Sequence, residues 1–480
     1  MRQEEMIAQI ETRIDELASQ IKKAAIQGAS RVRNAKGFYD IEQEIVGICR
    51  GFAGSITGIV LASILDDQEW ENEKIDLFKG ANLRCLGKRS VVVETLSGVE
   101  ITVEAEYLAP KKSKKSKGRR KKRRRRHGTG VFPALMALGI MYKCTPSLVS
   151  ETARQVVESC SVDEAQQSLA RRGIVMSVKK AWTLSKAFAT DAIAATDRLL
   201  ANGPDGDGEF TGLRVVACVD GGRVRARKPR RRGPIPKGKK RRGYNTPWRE
   251  PKVLIIYVID EEGRRDKRFM PIIDGTLGDA DCVIALLVGY LRLLGVDQAA
   301  QLVISGDGAK WIWNRVGDII KGVGIDEKKV FAIVDFYHAV EHLQEVADLM
   351  TGWSKQRRKK WVTRHRKLLR RGKIDDVIIA IESLIGKGNA KKVRTELKYF
   401  DKNKTRMRYA WFKKHRLPLG SGAVESCIRR VINLRMKGAG IFWKEENAEG
   451  FLHMRSQFKS GRWDEMVMRT LNAQAIPAAA

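Results

Sequence analysis

The chain has 480 residues, with 91 Lys and Arg against 56 Asp and Glu, a formal net charge of +35 and a pI near 10.0. That length excludes a single simple core and predicts two to four domains. The charge far exceeds what solubility requires and predicts a polyanionic partner, nucleic acid first, with a ribosome-associated or membrane-surface role as the alternative. Seven cysteines (49, 85, 144, 160, 218, 282 and 427) are scattered without a C-x-x-C pair. That excludes a conventional zinc finger and fits reduced thiols in a cytoplasm.

Met1–Glu16 is charged and helical in pattern, so no signal peptide is expected. Ile7, Ile10, Ile14, Leu17 and Ile21 alternate three and four residues apart. This short a/d seam suits either another subunit or an intramolecular helix hairpin. Ile45–Leu65 is 21 residues long with Arg50 as its only charge, and Gly47/Gly51 and Gly54/Gly58 give it small-x-x-x-small spacing. It passes for a transmembrane helix by length and motif, but its four glycines favour a helix packed closely on a neighbour. Val91–Leu96 and Val99–Glu106, separated by Ser97-Gly98, predict a β-hairpin. Residues 1–110 thus read as a helical region with a small hairpin, suited to dimerisation. Residues 111–127, nearly all Lys or Arg and including Arg123 and Arg124, read as a flexible cationic linker that tethers phosphate backbone without reading sequence.

Residues 128–202 are helical in pattern and form a candidate DNA-binding domain of helix-turn-helix kind. Pro146-Ser147 marks one helix start; Ser161, answered by Glu164, marks another; Gly173 breaks the run before Ser177–Ala187. Gly203–Gly208 is a boundary loop. Strands are expected at Leu213–Val219, Lys252–Ile259, Arg268–Ile273, Leu302–Ser305 and Val330–Val334. A basic loop, Arg225–Gly243, follows the first strand and ends near Trp248. Helices are expected at Asp279–Leu294 and Lys310–Lys321. The last two strands flank a helix and are therefore expected to be parallel, with the first three forming a meander. Residues 339–417 contain no strand pattern; Trp353–Arg371, Asp375–Gly386 and Asn389–Tyr399 read as helices with Lys and Arg on one face. Gly420-Ser421-Gly422 then sets up a helix with Glu425 in its first turn, and 467–480 reads as a tail.

Asp307 and Asp335 follow the fourth and fifth strands, Asp220 ends the first, and Glu425 opens the late helix. Ligands in open α/β sheets gather outside the carboxyl ends of parallel strands. Three carboxylates converging there would suit hard, oxygen-loving cations. Two such ions about 3.5–4 Å apart serve in-line phosphoryl transfer. Glycines 221, 222, 306 and 308 beside these acids are read as permitting close approach to a ligand. Each acid alone is more commonly a turn, a cap or dipole compensation; the set of three in a chain this basic carries the signal.

The segments DGG (220–222), GDGAKWIW (306–313), DFYHAVEHL (335–343) and GSGAVES (420–426) resemble the DDE-type insertion-sequence transposases, most closely the Kra group of prokaryotic elements, allied to the Mutator-like transposases. WREPK (248–252), RMKGAGIFW (435–443) and SGRWDEM (460–466) match the same group, so the resemblance covers roughly residues 128–466. It implies a multidomain α/β protein with an RNase H-like core of sheet order 3-2-1-4-5. The first part of that core is 209–338, an α-helical insertion is 339–417, and the last part, with the third acid, is 418–466. The spacings, 87 residues between Asp220 and Asp307 and 118 between Asp307 and Glu425, leave room for the insertion. It also implies that Asp220, Asp307 and Glu425 bind two Mg²⁺ or Mn²⁺ ions, with Asp335 and His338 on a supporting D-x-x-H pattern. His338 reads as a hydrogen-bonding core histidine ahead of a metal ligand. The paired cysteines that group often carries ahead of the core are missing, Cys85 standing alone, which speaks against an N-terminal zinc module.

The expected activity is binding of terminal inverted repeats, metal-dependent cleavage at their ends and attack of the freed 3′-hydroxyl on target DNA, with no covalent protein–DNA intermediate. The partners would be double-stranded DNA and a second copy of the chain, or more, on that DNA; the location would be a prokaryotic cytoplasm, at the nucleoid, without membrane. Lys310, Arg429, Arg430, Arg435 and Lys437 are candidate phosphate contacts. Trp311, Trp313 and Trp443 suit core packing, or stacking on an unpaired base. The rivals are an RNase H-like endonuclease without strand transfer and a catalytically silent DNA-binding protein derived from a transposase.

Overall fold

A computed structural model describes residues 3–79, 81–111, 130–203, 208–230, 232–235, 237–240, 242–386 and 388–473. The linker at 111–127, apart from Lys111, lies outside these residues, and so do Arg123 and Arg124. The chain divides into two compact units, 1–195 with 465–480, and 196–464. The seven-part division expected from sequence is finer than this.

In the first unit, α1 (Gln3–Arg31) lies against α2 (Ala35–Asp66), whose start is capped by the Asn34 side chain accepting from Gly37 N at 2.8 Å. An intramolecular helix hairpin results, and Ile7 and Ile14 of the seam stay exposed. α3 (Gln68–Asp76) follows, then β1 (Leu83–Glu94) and β2 (Glu100–Pro110), antiparallel from Glu94↔Glu100 out to Leu83↔Pro110. Alternation buries Val91 and Val93 beside Ile101, Val103 and Ala105. Leu61 and Leu65 of α2 and Ala134 and Leu135 of α4 (Pro133–Ala137) complete this core. α2 is long and apolar enough to cross a membrane by length and composition. Its Gly54/Gly58 spacing, however, serves the hairpin: a Cβ at Gly54 would overlap Val99, and one at Gly58 would lie 3.3 Å from Ile101.

The unit continues with α5 (Pro146–Glu158), α6 (Val162–Arg171) and α7 (Val178–Asn202). Ser161 Oγ accepts from Glu164 N at 3.0 Å, while the Glu164 carboxylate accepts from Cys160 N at 3.2 Å, a capping box displaced by one residue. Two basic side chains in this bundle are already paired, Arg172 with Glu151 and Lys180 with Glu94.

The second unit holds a mixed five-stranded sheet. β3 (Arg214–Gly221), β4 (Lys252–Ile259) and β5 (Ile272–Thr276) form an antiparallel meander, and β6 (Gln301–Gly306) and β7 (Val330–Val334) extend it in parallel on the other side of β3. The spatial order is β7-β6-β3-β4-β5. Continuous burial of Val215–Val219, Val253–Ile259 and Leu302–Ile304 marks a sheet covered on both faces. β5 begins four residues later than expected because Pro271 has no N–H to give the ladder. Between β5 and β6 runs α8 (Ala280–Leu293), capped by Asp279.

The helix expected at 310–321 is broken into α9 (Lys310–Trp313) and α10 (Val316–Val323), with Arg315 N bonded back to Ile312 O at 3.1 Å. Then α11 (Phe336–Asp348), α12 (Lys355–Arg370), α13 (Ile374–Glu382), α14 (Ala390–Asn403) and α15 (Tyr409–Lys414) form a helical block between β7 and the late helices. These are α16 (Gly422–Ile428), a π-helical stretch Arg429–Asn433, α17 (Glu445–Ser460) and α18 (Trp463–Asn472). α16 packs on β3 and β4, and α17 on β5. The tail expected at 467–480 is therefore helical as far as Asn472, where Met466 and Thr470 are buried; residues 474–480 lie outside the description. In the basic loop, Val224–Arg225 pairs with Trp248–Arg249 and Lys228–Pro229 with Tyr244–Asn245. Trp443 ties in by Arg227 N to Trp443 O at 2.6 Å and Trp443 N to Arg225 O at 2.9 Å.

Candidate active site

β3 and β6 are parallel neighbours with Ser305 opposite Cys218, so extending that register brings Asp307 level with Asp220. Glu425 is exposed in the first turn of α16, the helix laid on β3 and β4. Burial pushes the Asp220 carboxyl up to about 6. The negative charges of Asp307 and Glu425 add to the rise, while the Gly221 N–H at 2.6 Å and His338 oppose it. Asp220 therefore feels both other acids. Asp307 is itself braced, its Oδ1 accepting from Ala309 N at 2.9 Å and its carbonyl from Trp313 Nε1 at 2.8 Å.

Asp335 follows β7 as Asp307 follows β6, but its carboxylate is used inside the fold. It is fully buried and caps α11, with Oδ1 accepting from Tyr337 N at 2.5 Å and His338 N at 3.3 Å. Oδ2 accepts from Ser421 N at 2.5 Å and from the Ser421 hydroxyl. With Phe336 N bonded to Leu419 O at 2.8 Å, these bonds pin the loop that starts α16 and so position Glu425. His338 is half-buried, with Nδ1 at 2.9 Å from Glu341, at the surface of α11 and not in the core.

The glycines beside the acids make room for protein. A Cβ at Gly222 would overlap Ile432, and one at Gly308 would overlap the Tyr399 ring. Trp313 and Trp443 are buried, the latter donating to Met436 O at 2.9 Å, which is the packing alternative. Trp311 is half-buried with the Lys252 ammonium 5.5 Å from its ring. Lys310, Arg429 and Lys437 are exposed. Arg430 folds back toward Ser426 O and Cys427 Sγ. Arg435 is buried, its guanidinium 4.7 Å from the Phe451 ring, so it packs inside the fold and does not face a phosphate.

A cleft of about 620 Å³ opens beside Asp307, walled by Gly308 and Lys310 on one side and by Lys398, Tyr399, Lys402 and Arg406 on the other. The second wall comes from α14 and the turn after it, and sequence reasoning missed it. Its signal was present: Thr395, Lys398, Tyr399, Lys402 and Arg406 recur at helical spacing on one face. The Tyr399 hydroxyl is buried without a hydrogen-bond partner; burial pushes it up, and the Asp307 charge adds to that. His342 stacks on Tyr399 at 3.6 Å and holds Glu396 at 2.6 Å, joining α11 to α14.

Among the described residues, the grouping whose ligand atoms all lie within 4.8 Å of one another is His342, Glu345 and Glu396. Asp220, Asp307 and Glu425 are set more openly than that. Their donor set is all oxygen, the kind that hard divalent cations take. No family model matches the chain, and no curated protein or solved structure matches it.

Proposed function

We propose that this chain is a DNA transposase of an insertion sequence, acting on terminal inverted repeats by metal-dependent cleavage and strand transfer. The observation that carries this reading is the trio Asp220, Asp307 and Glu425, drawn from two adjacent parallel strands and a helix packed on the first of them, with the charges of the second and third acids acting on the first. Numbered from β3 along the chain, the sheet order reads 3-2-1-4-5 when taken from β5 to β7, which supports an RNase H-like core with the helical block 339–417 inserted before the third acid. The net charge of +35 supports a DNA partner.

Asp220, Asp307 and Glu425 would hold two Mg²⁺ or Mn²⁺ ions. Bound there, these would activate an attacking oxygen and offset charge on the scissile phosphate. The chain's own work is positional. Asp220, whose carboxyl its surroundings raise to about 6, would give up its proton to hold a cation below that pH. Trp313 and Ala309 hold the Asp307 turn, and Asp335 with Ser421 fixes the helix that presents Glu425. Lys310 and the cations of the cleft wall would steady the phosphate backbone. Exposed Ile7 and Ile14 on α1 support assembly as a dimer or higher on DNA. The setting would be the nucleoid of a prokaryotic cytoplasm.

The test is a strand-transfer assay with a precut end from the DNA flanking the gene. Joining of its 3′-hydroxyl to a target duplex in Mg²⁺ is expected. Cleavage without joining would instead make the protein an endonuclease of the same core, and binding without either would make it a silent DNA-binding protein.

A further inference from the structure

α12 (Lys355–Arg370) contains nine Lys and Arg and no acid. One face of it, Gln356, Lys359, Lys360, Thr363, Arg364 and Lys367, continued by Arg371, lines a shallow trough of about 660 Å³. All of these side chains are exposed. Other cations of this helix are engaged: Arg358 with Asp348 at 3.5 Å, and Arg357 over the Trp353 ring at 4.7 Å. Among the described residues, no carboxylate lies within ion-pair distance of Lys359, Lys360, Arg364, Lys367 or Arg371. Gathering five like charges on one helix face opposes folding, since like pairs at i,i+4 repel by about 0.2–0.5 kcal/mol each. No described carboxylate offsets that repulsion.

We infer that this face is a docking surface for the phosphate backbone of duplex DNA, separate from the three-acid site. Three observations favour that occupant over others. Lys360, Arg364, Lys367 and Arg371 run along the helix for roughly 16 Å at 1.5 Å per residue. A duplex carries about ten phosphate charges in the same axial length, whereas a free phosphate would engage one or two of the cations. The lining is polar apart from the stem of Leu368, so an acidic protein would find little apolar surface to anchor on. Gln356 and Thr363 are neutral donors interleaved with the cations, as suits backbone contacts that position a duplex without reading its bases. The choice of DNA over other nucleic acid rests on the function proposed above.

The test is equilibrium binding of the full chain to a random-sequence DNA duplex across a salt series, with an RNA duplex of equal length as the second arm. The variant K359Q/K360Q/R364Q/K367Q is compared with wild type and with K359R/K360R/K367R, which keeps the charge. All positions are exposed, and circular dichroism checks that each variant folds. The neutralised variant is expected to bind DNA at least tenfold more weakly. Its log Kd–log salt slope should be shallower by about 3.6 if all four cations hold phosphates, near 0.9 per lost contact, and the arginine variant should match wild type. Unchanged DNA affinity and slope in the neutralised variant would overturn the inference, as would a loss confined to RNA. Failure of the wild-type protein to bind DNA at all would overturn the function proposed above as well, so the two can fail separately.

Discussion

Burial holds the Asp220 carboxyl protonated up to about pH 6, which gives the candidate site a pH dependence of known sign. Its folded value lies above the usual aspartate value, so its contribution to stability in the ion-free protein is full in acid and is lost as pH rises through about 6. A divalent cation competes with that proton. Calorimetric titration with Mn²⁺ from about pH 5 to about pH 8 should therefore show affinity rising and then levelling above about pH 6. Asp220→Asn should bind weakly at every pH, without the rise. A wild-type profile flat across this range would contradict the placement of Asp220 among the ligands. Asp335 shows the limit of reading a residue by position. Both it and Asp307 follow parallel strands and both accept local backbone bonds, and it is full burial and the bonds of Asp335 to Ser421 that make it a brace inside the fold. Part of that was legible, because an aspartate just ahead of a helix is an N-cap by its chemistry. The bond to Ser421, 86 residues away, was not.

At the level of elements, the helical block does more than separate the last two acids. Through Tyr399 it meets the turn that carries Asp307, with Gly308 as the contact point. Gly308→Ala is expected to drive the ring and the turn apart, costing about 1–3 kcal/mol of stability as overpacking does and lowering cleavage with it. Adding Tyr399→Ala should restore much of the loss, a coupling that a double-mutant cycle by chemical denaturation and by cleavage rate would measure. Additive effects would show that α14 does not brace the Asp307 turn. The strands of the sheet were legible because each is a short run of Val and Ile bounded by turn residues, and the β-hairpin because its apolar residues alternate. The start of β5 is set by Pro271, which has no N–H to give the ladder, and the break between α9 and α10 has no breaker residue to announce it. The polar face of α14 was legible from its helical spacing, but that this face meets the turn after β6 is a matter of tertiary packing that no local pattern states.

The whole molecule combines a charge of +35, a sheet that brings Asp220 and Asp307 to one edge, and a helix with Glu425 in its first turn. The exposed cations of α12 have no carboxylate partner among the described residues and give that charge a second place to act. The basic character was plain from composition; where it is concentrated depended on the fold, as Arg435 turned inward while Lys359, Arg364 and Lys367 turned out. The central claim is that the three acids form one reacting centre. It is tested most directly by purifying Asp307→Asn and Glu425→Gln and measuring, in Mg²⁺, both binding and cleavage of a duplex carrying the ends of the DNA segment that encodes the protein. The account predicts that each variant keeps wild-type DNA affinity and loses cleavage by at least about 10²–10³-fold, the scale of losing an electrostatic catalytic group. Cleavage at the wild-type rate by either variant would contradict it.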